Sequence, residues 1–135
     1  MVTLKQIGVS LEEYQELFLD GFGESGGEIP HVVFSVQDGE TRVAYCSVNG
    51  HSRGNLYLQH IFFAKGIEKK YGYYVETLKA LHALGFPFIM GAISNKNKVA
   101  LMWALRSGFE INGVRIATDG KVFVEVLHKG NWQED

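Results

Sequence analysis

The chain has 135 residues, 46% of them hydrophobic and 21% charged, and a formal net charge of -2 at pH 7. This length allows one sizeable core and is too short for two, so we expect a single domain over residues 1–135. The composition excludes a disordered or fibrous protein. Basic residues are scattered apart from the pair Lys69 and Lys70, which predicts no nucleic-acid partner.

Cysteine usage and hydropathy bear on the compartment. The single cysteine, Cys46, has no partner for an intrachain disulfide, which fits a reducing environment. No apolar run approaches about 18 residues, and no basic-then-apolar segment resembles a signal peptide. The histidines show no metal-ligand spacing, so no metal site is predicted. We therefore expect a cytoplasmic protein without membrane association.

In the first half of the chain, strand-like alternation surrounds one helix signal. The segment VTLKQIG predicts a first strand, and Ser10 with Glu13 forms a capping box that starts a helix. The segment VVFSV alternates up to a turn at Asp38-Gly39, which predicts a hairpin to a return strand, TRVAYCSV. A third strand, LYLQHIFF, follows a polar break.

The next two elements are a helix and a buried strand. Apolar residues recur at helical spacing from about Glu68 to Leu84, and Gly85 closes the helix. The run FPFIMGAIS is apolar without alternation, which is typical of a parallel strand covered on both faces. Because a helix joins it to LYLQHIFF, we expect these two strands to lie parallel in the sheet and to diverge at their carboxyl ends.

The last third begins with a short helix that has clear signals at both ends. Asn97 is a good N-cap and Gly108 a good helix terminator. Its unbroken apolar run from Val99 to Leu105 predicts a helix buried nearly all the way round, with Trp103 in the core. Two strands, INGVRIA and KVFVEVL, then form a hairpin through the turn DG.

The element order is β-α-β-β-β-α-β-α-β-β, and it resembles the GCN5-related N-acetyltransferase (GNAT) fold over nearly the whole chain. The resemblance implies a mixed α/β domain with a twisted sheet of about seven strands and helices on both faces. In this family an Asn is commonly followed by Ala, Tyr and Gly-Phe at fixed spacing. The corresponding residues here are Asn97, Ala100, Ala104, Gly108 and Phe109, so only the Tyr position differs. The stretch also resembles small acetyltransferase-like proteins of tailed bacteriophages.

The resemblance implies a binding site for acetyl-CoA. In the family, the strand before this helix separates from its neighbour, and the pantetheine arm of the cofactor lies in the gap. Contacts from Asn97 and from Ile61, Phe62 and Phe63 of the central strand are therefore expected.

The family binds the cofactor pyrophosphate with a loop Gln/Arg-x-x-Gly-x-Gly/Ala at a helix N-terminus, where N-H groups and the helix dipole favour an anion. Two registers fit this chain imperfectly. One places Lys69, Gly72 and Tyr74 on the motif; the other places Lys65, Glu68 and Lys70 there. The expected cofactor contacts in this segment are Lys69, Lys70, Tyr71, Gly72 and Tyr73. Alternatively, the two lysines are a solvated pair before a helix.

Catalytic groups are less clearly marked. His60, with an ordinary pKa near 6.5, is the candidate base that deprotonates the acceptor amine, although its position among apolar residues also fits a core histidine. Ala104 occupies the position of the family's usual acid. Three tyrosines are alternative acids, Tyr45, Tyr57 and Tyr74. Cys46 is a weak candidate for an acyl-carrying nucleophile, since no base is adjacent in sequence.

Three functions remain open from the sequence. The first is an N-acetyltransferase that transfers an acetyl group from acetyl-CoA to a primary amine, on a small molecule or a peptide N-terminus, by direct attack. The second is a non-catalytic GNAT-fold binding or structural protein with a degraded cofactor site; if it is phage-derived, the host cytoplasm or the virion is its expected location. The third is another α+β domain that shares the strand order. A monomer or a homodimer is expected in each case.

Overall fold

Seven strands and two helices are present in the computed structural model, which describes residues 2–8, 12–13, 32–52, 55–130 and 132. The strands are β1 (Thr3–Ile7), β2 (Val32–Asp38), β3 (Thr41–Ser52), β4 (Asn55–Phe63), β5 (Phe88–Ser94), β6 (Glu110–Ile116) and β7 (Val122–His128), and the helices are α1 (Lys70–Ala83) and α2 (Lys98–Arg106). The helix predicted to start at Ser10 lies outside the described residues, except that Glu12 and Glu13 are helical.

The strands form one mixed sheet in the order β1-β2-β3-β4-β5-β7-β6. Strands β1 to β4 are antiparallel neighbours, β4 and β5 are parallel, and β7 pairs antiparallel with both β5 and β6. The predicted mixed α/β fold with a sheet of about seven strands is therefore confirmed. Both predicted hairpin turns are present, and each has a glycine with positive φ, Gly39 at 64° and Gly120 at 86°.

The core lies between the sheet and helix α1. Leu78 and Leu81, one helical turn apart, are fully buried against Val36, Ile89 and Val126 of the sheet. Burying a side chain of this size contributes roughly 1.5 to 3 kcal/mol to folding. Helix α1 thereby covers the part of the sheet that contains these core residues of β2, β5 and β7.

Strands β4 and β5 separate toward their carboxyl ends, as predicted. Their parallel ladder covers only Asn55↔Phe88, Leu56↔Ile89 and Tyr57↔Met90. Beyond it, β5 follows β7 while β4 follows β3. Helices α1 and α2 each begin shortly after one of the two separating ends, so both helix N-termini lie at the mouth of this gap.

The prediction that α2 is buried nearly all the way round is wrong. Val99, Met102 and Leu105 are exposed, Met102 by 67%, whereas Ala104 is fully buried and Trp103 half-buried. The helix has only nine residues and packs on the sheet through its alanine side. Its outer face, which carries Val99, Met102 and Leu105, meets no further layer among the described residues.

Candidate functional site

The N-terminus of α1 is unusual in its capping. Lys69 is the N-cap, with a left-handed backbone (φ 56°, ψ 42°), and its side chain makes no capping hydrogen bond. The first turn contains no acidic residue that would balance the helix dipole. The motif register Lys69-Gly72-Tyr74 spans this N-terminus, while Lys65 and Glu68 of the other register lie in the preceding loop. The helix end therefore presents backbone donors and two exposed lysines, Lys69 and Lys70, to an approaching group.

Gly72 lies in the first turn with open space around it. A Cβ placed on Gly72 would meet no atom within 4 Å. No neighbour within the described chain therefore requires glycine here. A missing side chain in a first helical turn does let an anion approach the backbone closely.

An aromatic cluster joins the two helices at the carboxyl end of β4. The Trp103 ring lies 6.0 Å from that of Phe63, 5.8 Å from Tyr71 and 5.6 Å from Tyr74, measured between centroids. Burial raises the pKa of Tyr74 to about 12, against the opposing effect of a hydrogen bond with Ser107. The Tyr74 hydroxyl therefore stays protonated and is a poor acid.

A cleft of about 330 Å³ opens next to this cluster. Its lining residues are Tyr71, Gly72, Val75, Glu76, Arg106, Ser107 and Trp132. The guanidinium carbon of Arg106 lies 4.2 Å from the centroid of the Tyr71 ring. The volume is at the low end for ligand pockets, and the lining combines aromatic faces with a cation. Arg106 and Trp132 were not identified from the sequence, because only the fold brings them to the first turn of α1.

Asn97 caps α2 as predicted. Its Oδ1 accepts a hydrogen bond of 3.2 Å from the Ala100 N-H, and the Asn97 N-H donates to the Ser94 carbonyl at 2.9 Å. The side-chain amide nitrogen of this exposed residue has no partner among the described residues. It can donate a hydrogen bond toward the gap between β4 and β5 while the oxygen keeps the cap.

The predicted site residues of β4 follow a bulge and alternate between the two faces of the sheet. The pairing with β3 shifts between His60↔Ser47 and Leu58↔Val48, which inserts Gln59. Ile61 and Phe63 pack against the main core on the helix side, while Phe62 packs with Val33 in a separate cluster. The rings of His60 and Phe62 lie 5.6 Å apart, so His60 shares the face of Phe62. The bulge was not predictable from the sequence, because it inserts an ordinary residue into an otherwise regular alternation.

The predicted base is a weak one. Burial lowers the pKa of His60 from its ordinary 6.5 to about 4. The imidazole is therefore neutral near pH 7 and able to accept a proton, but its driving force for doing so is small.

The remaining predicted groups fall in different places. Ala104 is fully buried, so the position of the family's usual acid holds no proton donor and has no visible space for one. Cys46 is also fully buried, and burial raises the pKa of its thiol to about 12, which excludes a reactive thiolate. The Tyr73 hydroxyl donates to Asp38 Oδ2 at 2.7 Å, and that hydrogen bond raises its pKa. Tyr73 therefore contacts the β2-β3 turn.

The other two tyrosines differ in access to the gap. Tyr57 is exposed and forms the last ladder pair before β4 and β5 separate, whereas the Tyr45 ring lies 4.4 Å from the Arg42 guanidinium carbon.

Among the described residues, no cluster of three metal-binding side chains is found. Within the same part of the chain, no helix is long and apolar enough to cross a membrane.

The fold of this chain is similar to that of solved acetyltransferases. The ribosomal-protein-S18-alanine N-acetyltransferase of Escherichia coli is similar with a TM-score of 0.68 and 12% identity, over 100% of this chain and 97% of that one. A Desulfovibrio desulfuricans protein assigned to the GNAT family has a TM-score of 0.67 and 11% identity, over 96% of this chain and 99% of that one. A Bacillus subtilis acetyltransferase in complex with CoA has a TM-score of 0.66 and 12% identity, over 96% of this chain and 99% of that one. The chain therefore has the GNAT fold.

Sequence comparison adds nothing to this assignment. No protein-family model and no curated protein matches the chain. None of the three structures is described as a phage protein, so the resemblance to phage proteins is not supported.

Proposed function

We propose that this protein is an acetyl-CoA-dependent N-acetyltransferase. The observation that carries the proposal is the gap between β4 and β5, which opens between two helix N-termini. Solved structures of the same fold include one described as a complex with CoA. The N-terminus of α1, with Lys69, Lys70 and the open space at Gly72, fits the pyrophosphate.

The residues around the gap fit the rest of the cofactor. The Asn97 amide nitrogen lies at the start of α2 and is suited to a carbonyl of the pantetheine arm. The cleft beside Gly72 combines the Tyr71 and Trp132 rings with Arg106, and these groups suit the nucleotide end of CoA. Bound acetyl-CoA would supply the acyl group, held as a thioester.

The chemistry this chain offers is mainly positioning. With acetyl-CoA bound, a neutral amine would attack the acetyl carbon and the carbon-sulfur bond would break. CoA would leave as a thiolate, and the proton lost from the attacking nitrogen would pass to that thiolate or to solvent. Because a thiol has a pKa near 8.5, its thiolate can leave without an acid, and the absence of a donor at Ala104 is tolerable. His60 lies on the other face of β4 and is at most a weak acceptor of the ammonium proton. We therefore expect acetylation that accelerates with rising pH as more of the acceptor amine is deprotonated.

The acceptor is proposed only by class. Neighbours of this fold are named as acting on a ribosomal protein's alanine and on spermidine, both of which present primary amines. A small-molecule amine or a peptide N-terminus is the corresponding proposal for this chain. Because acetyl-CoA is a cytoplasmic metabolite, the cytoplasm is the proposed location.

Cofactor binding is tested by thermal denaturation with CoA and acetyl-CoA. A ligand that binds only the native state raises the melting temperature in proportion to RT ln(1 + [L]/Kd). The double variant Lys69→Ala/Lys70→Ala should lose most of the shift. The matched control Lys5→Ala/Lys121→Ala removes the same charge from β1 and from the β6-β7 turn, and should keep it. No shift with CoA at roughly millimolar concentration would overturn the proposal.

A non-catalytic CoA-binding protein is the second candidate, favoured by the buried Ala104 and the low pKa of His60. The two functions are separated by thiol release from acetyl-CoA in the presence of polyamines, amino acids and peptides. Release that depends on the amine and is lost in Lys69→Ala/Lys70→Ala supports the enzyme. A CoA-dependent melting shift without release from any amine supports the binding protein.

A further inference from the structure

Strand β6 forms an edge of the sheet and is exposed along nearly its whole length. It pairs only with β7 among the described strands. Three apolar residues of β6 are strongly exposed, Ile111 by 59%, Val114 by 64% and Ile116 by 71%. An edge strand with apolar side chains offers unpaired backbone groups and a hydrophobic face to another strand.

The two faces of β6 carry different chemistry. Ile111, Val114 and Ile116 pair with Val126, Val124 and Val122 of β7, respectively. Paired residues of antiparallel strands share a face, and Val126 belongs to the main core, so the three apolar residues of β6 lie on the helix side. Glu110 and Arg115 pair with Leu127 and Phe123 and lie on the opposite face. The register shift between Ile111 and Gly113 puts Ile111 and Val114 on the same face, although they are three residues apart.

The sequence of β6 is complementary to itself in an antiparallel register. With a two-fold axis between Asn112 and Gly113, Glu110 of one copy lies opposite Arg115 of the other, and Ile111 lies opposite Val114. In both pairs the partners come from the same face, as antiparallel pairing requires. An axis through Gly113 would instead set Ile111 opposite Arg115, from different faces. An axis through Arg115 would set two arginines opposite each other, which is destabilising.

We propose that β6 is a homodimer interface, in which two copies pair their β6 strands antiparallel about this axis and extend the sheet across both protomers. Each Glu110-Arg115 pair then occurs twice, as does each Ile111-Val114 pair, because a two-fold interface is self-complementary. Glu110 already contacts Lys129 at 3.2 Å, but both side chains are about half exposed, and such a bridge contributes little. A second copy is favoured over an unrelated strand because this register pairs Glu110 with Arg115 and Ile111 with Val114 at the same time.

The test measures the mass of the native protein by sedimentation velocity over a concentration series up to roughly 100 μM. The wild type should be a dimer. Val114→Lys, near the axis, should give a monomer because it places two cations in the apolar face. Leu84→Lys changes an equally apolar, exposed residue after α1 and should remain a dimer.

Charge exchange tests the register itself. Glu110→Arg or Arg115→Glu alone should weaken the dimer by about tenfold or more, because each places like charges opposite each other. The double variant Glu110→Arg/Arg115→Glu should recover the dimer, since the pairs reform with exchanged signs. A monomeric wild type at the highest concentration would overturn the proposal. So would a dimer that Val114→Lys leaves intact, or single and double charge variants with equal dissociation constants.

Discussion

The two ends of helix α1 differ in how their polar backbone groups are satisfied. At the C-terminus, the Leu84 and Gly85 N-H groups bond to carbonyls of the last turn, Gly85 has φ 109°, and His82 bonds to the Phe86 carbonyl at 2.8 Å. At the N-terminus, Lys69 is left-handed and provides no side-chain cap. The chain completes one end of the helix itself. The other end has no side-chain cap from its N-cap residue, and this is the end we propose for the cofactor.

The C-terminal end is also linked to the rest of the fold by a histidine pair. His82 Nε2 lies 2.9 Å from His128 Nδ1, and His128 Nε2 lies 2.9 Å from the Ser107 carbonyl oxygen. Together with the contact between His82 and the Phe86 carbonyl, the two rings make three short contacts, and each contact needs one proton. Two neutral imidazoles carry only two ring N-H protons between them. The Gly130 N-H donates a hydrogen bond of 3.0 Å to His128 Nδ1. Burial lowers the pKa of His128, which favours its neutral form.

The largest expected effect comes from removing His128. This residue is fully buried, and its ring lies 4.9 Å from Phe109 and 4.4 Å from Trp132. His128→Ala should cost about 3 to 4 kcal/mol of unfolding free energy, because it opens a cavity and removes the partners of buried polar groups. Urea denaturation measures the loss. The neighbouring exposed change Lys129→Ala should cost less than about 0.5 kcal/mol. If His128→Ala lowered the unfolding free energy as little as Lys129→Ala does, His128 would not be a main stabilising contact at the C-terminal end of α1.

Trp103 of α2 gives the next largest effect, because its ring packs on Tyr71 and Tyr74 in the N-terminal half of α1. A fully buried tryptophan would cost roughly 3 to 5 kcal/mol on truncation, but Trp103 is half-buried, so we expect about 2 to 3 kcal/mol for Trp103→Ala. Met102→Ala, on the exposed face of α2, is the matched control and should be nearly neutral. Equal losses for the two variants would contradict the one-sided packing of α2.

His60 should make stability depend on pH. Its folded pKa of about 4 is below the unfolded value of 6.5, so the unfolded state takes up a proton first as pH falls. The contribution of the neutral His60 to the unfolding free energy is complete above pH 6.5 and is lost between pH 6.5 and about 4. It amounts to at most about 3 kcal/mol. Unfolding free energies measured across this range should fall more steeply in the wild type than in His60→Gln. Parallel curves would mean that His60 is solvated.

Most of the fold follows from local signals, and the exceptions have physical reasons. Hairpins at Asp38-Gly39 and Asp119-Gly120 and the cap at Asn97 were predictable, since each rests on residues that favour one backbone geometry. The burial of α2 was not predictable, because an apolar run does not reveal how many layers surround it. The placement of His60 relative to Leu58 depended on the bulge, which only the pairing with β3 reveals.

The candidate site was predictable only in outline. The position of the gap follows from the parallel strands and their crossover, and Asn97 follows from its capping chemistry. The cleft residues Arg106 and Trp132 could not be found, because they meet Tyr71 from distant parts of the chain. The left-handed backbone of Lys69 was also hidden, since lysine carries no preference for that conformation.

The smallest expected effect tests the N-terminal end of α1 directly. A residue with a Cβ pays roughly 1 kcal/mol for the left-handed conformation, which glycine adopts freely, so Lys69→Gly should stabilise the protein without ligand by about 0.5 to 1 kcal/mol. Lys70→Gly removes the same charge one position later, inside the helix, where glycine should cost up to about 1 kcal/mol. Compared with the wild type, we expect a higher urea midpoint for Lys69→Gly and a lower urea midpoint for Lys70→Gly. If Lys69→Gly also weakens the CoA-induced melting shift, the strained N-cap serves binding at the expense of stability; if both variants destabilise alike, Lys69 is not left-handed in solution.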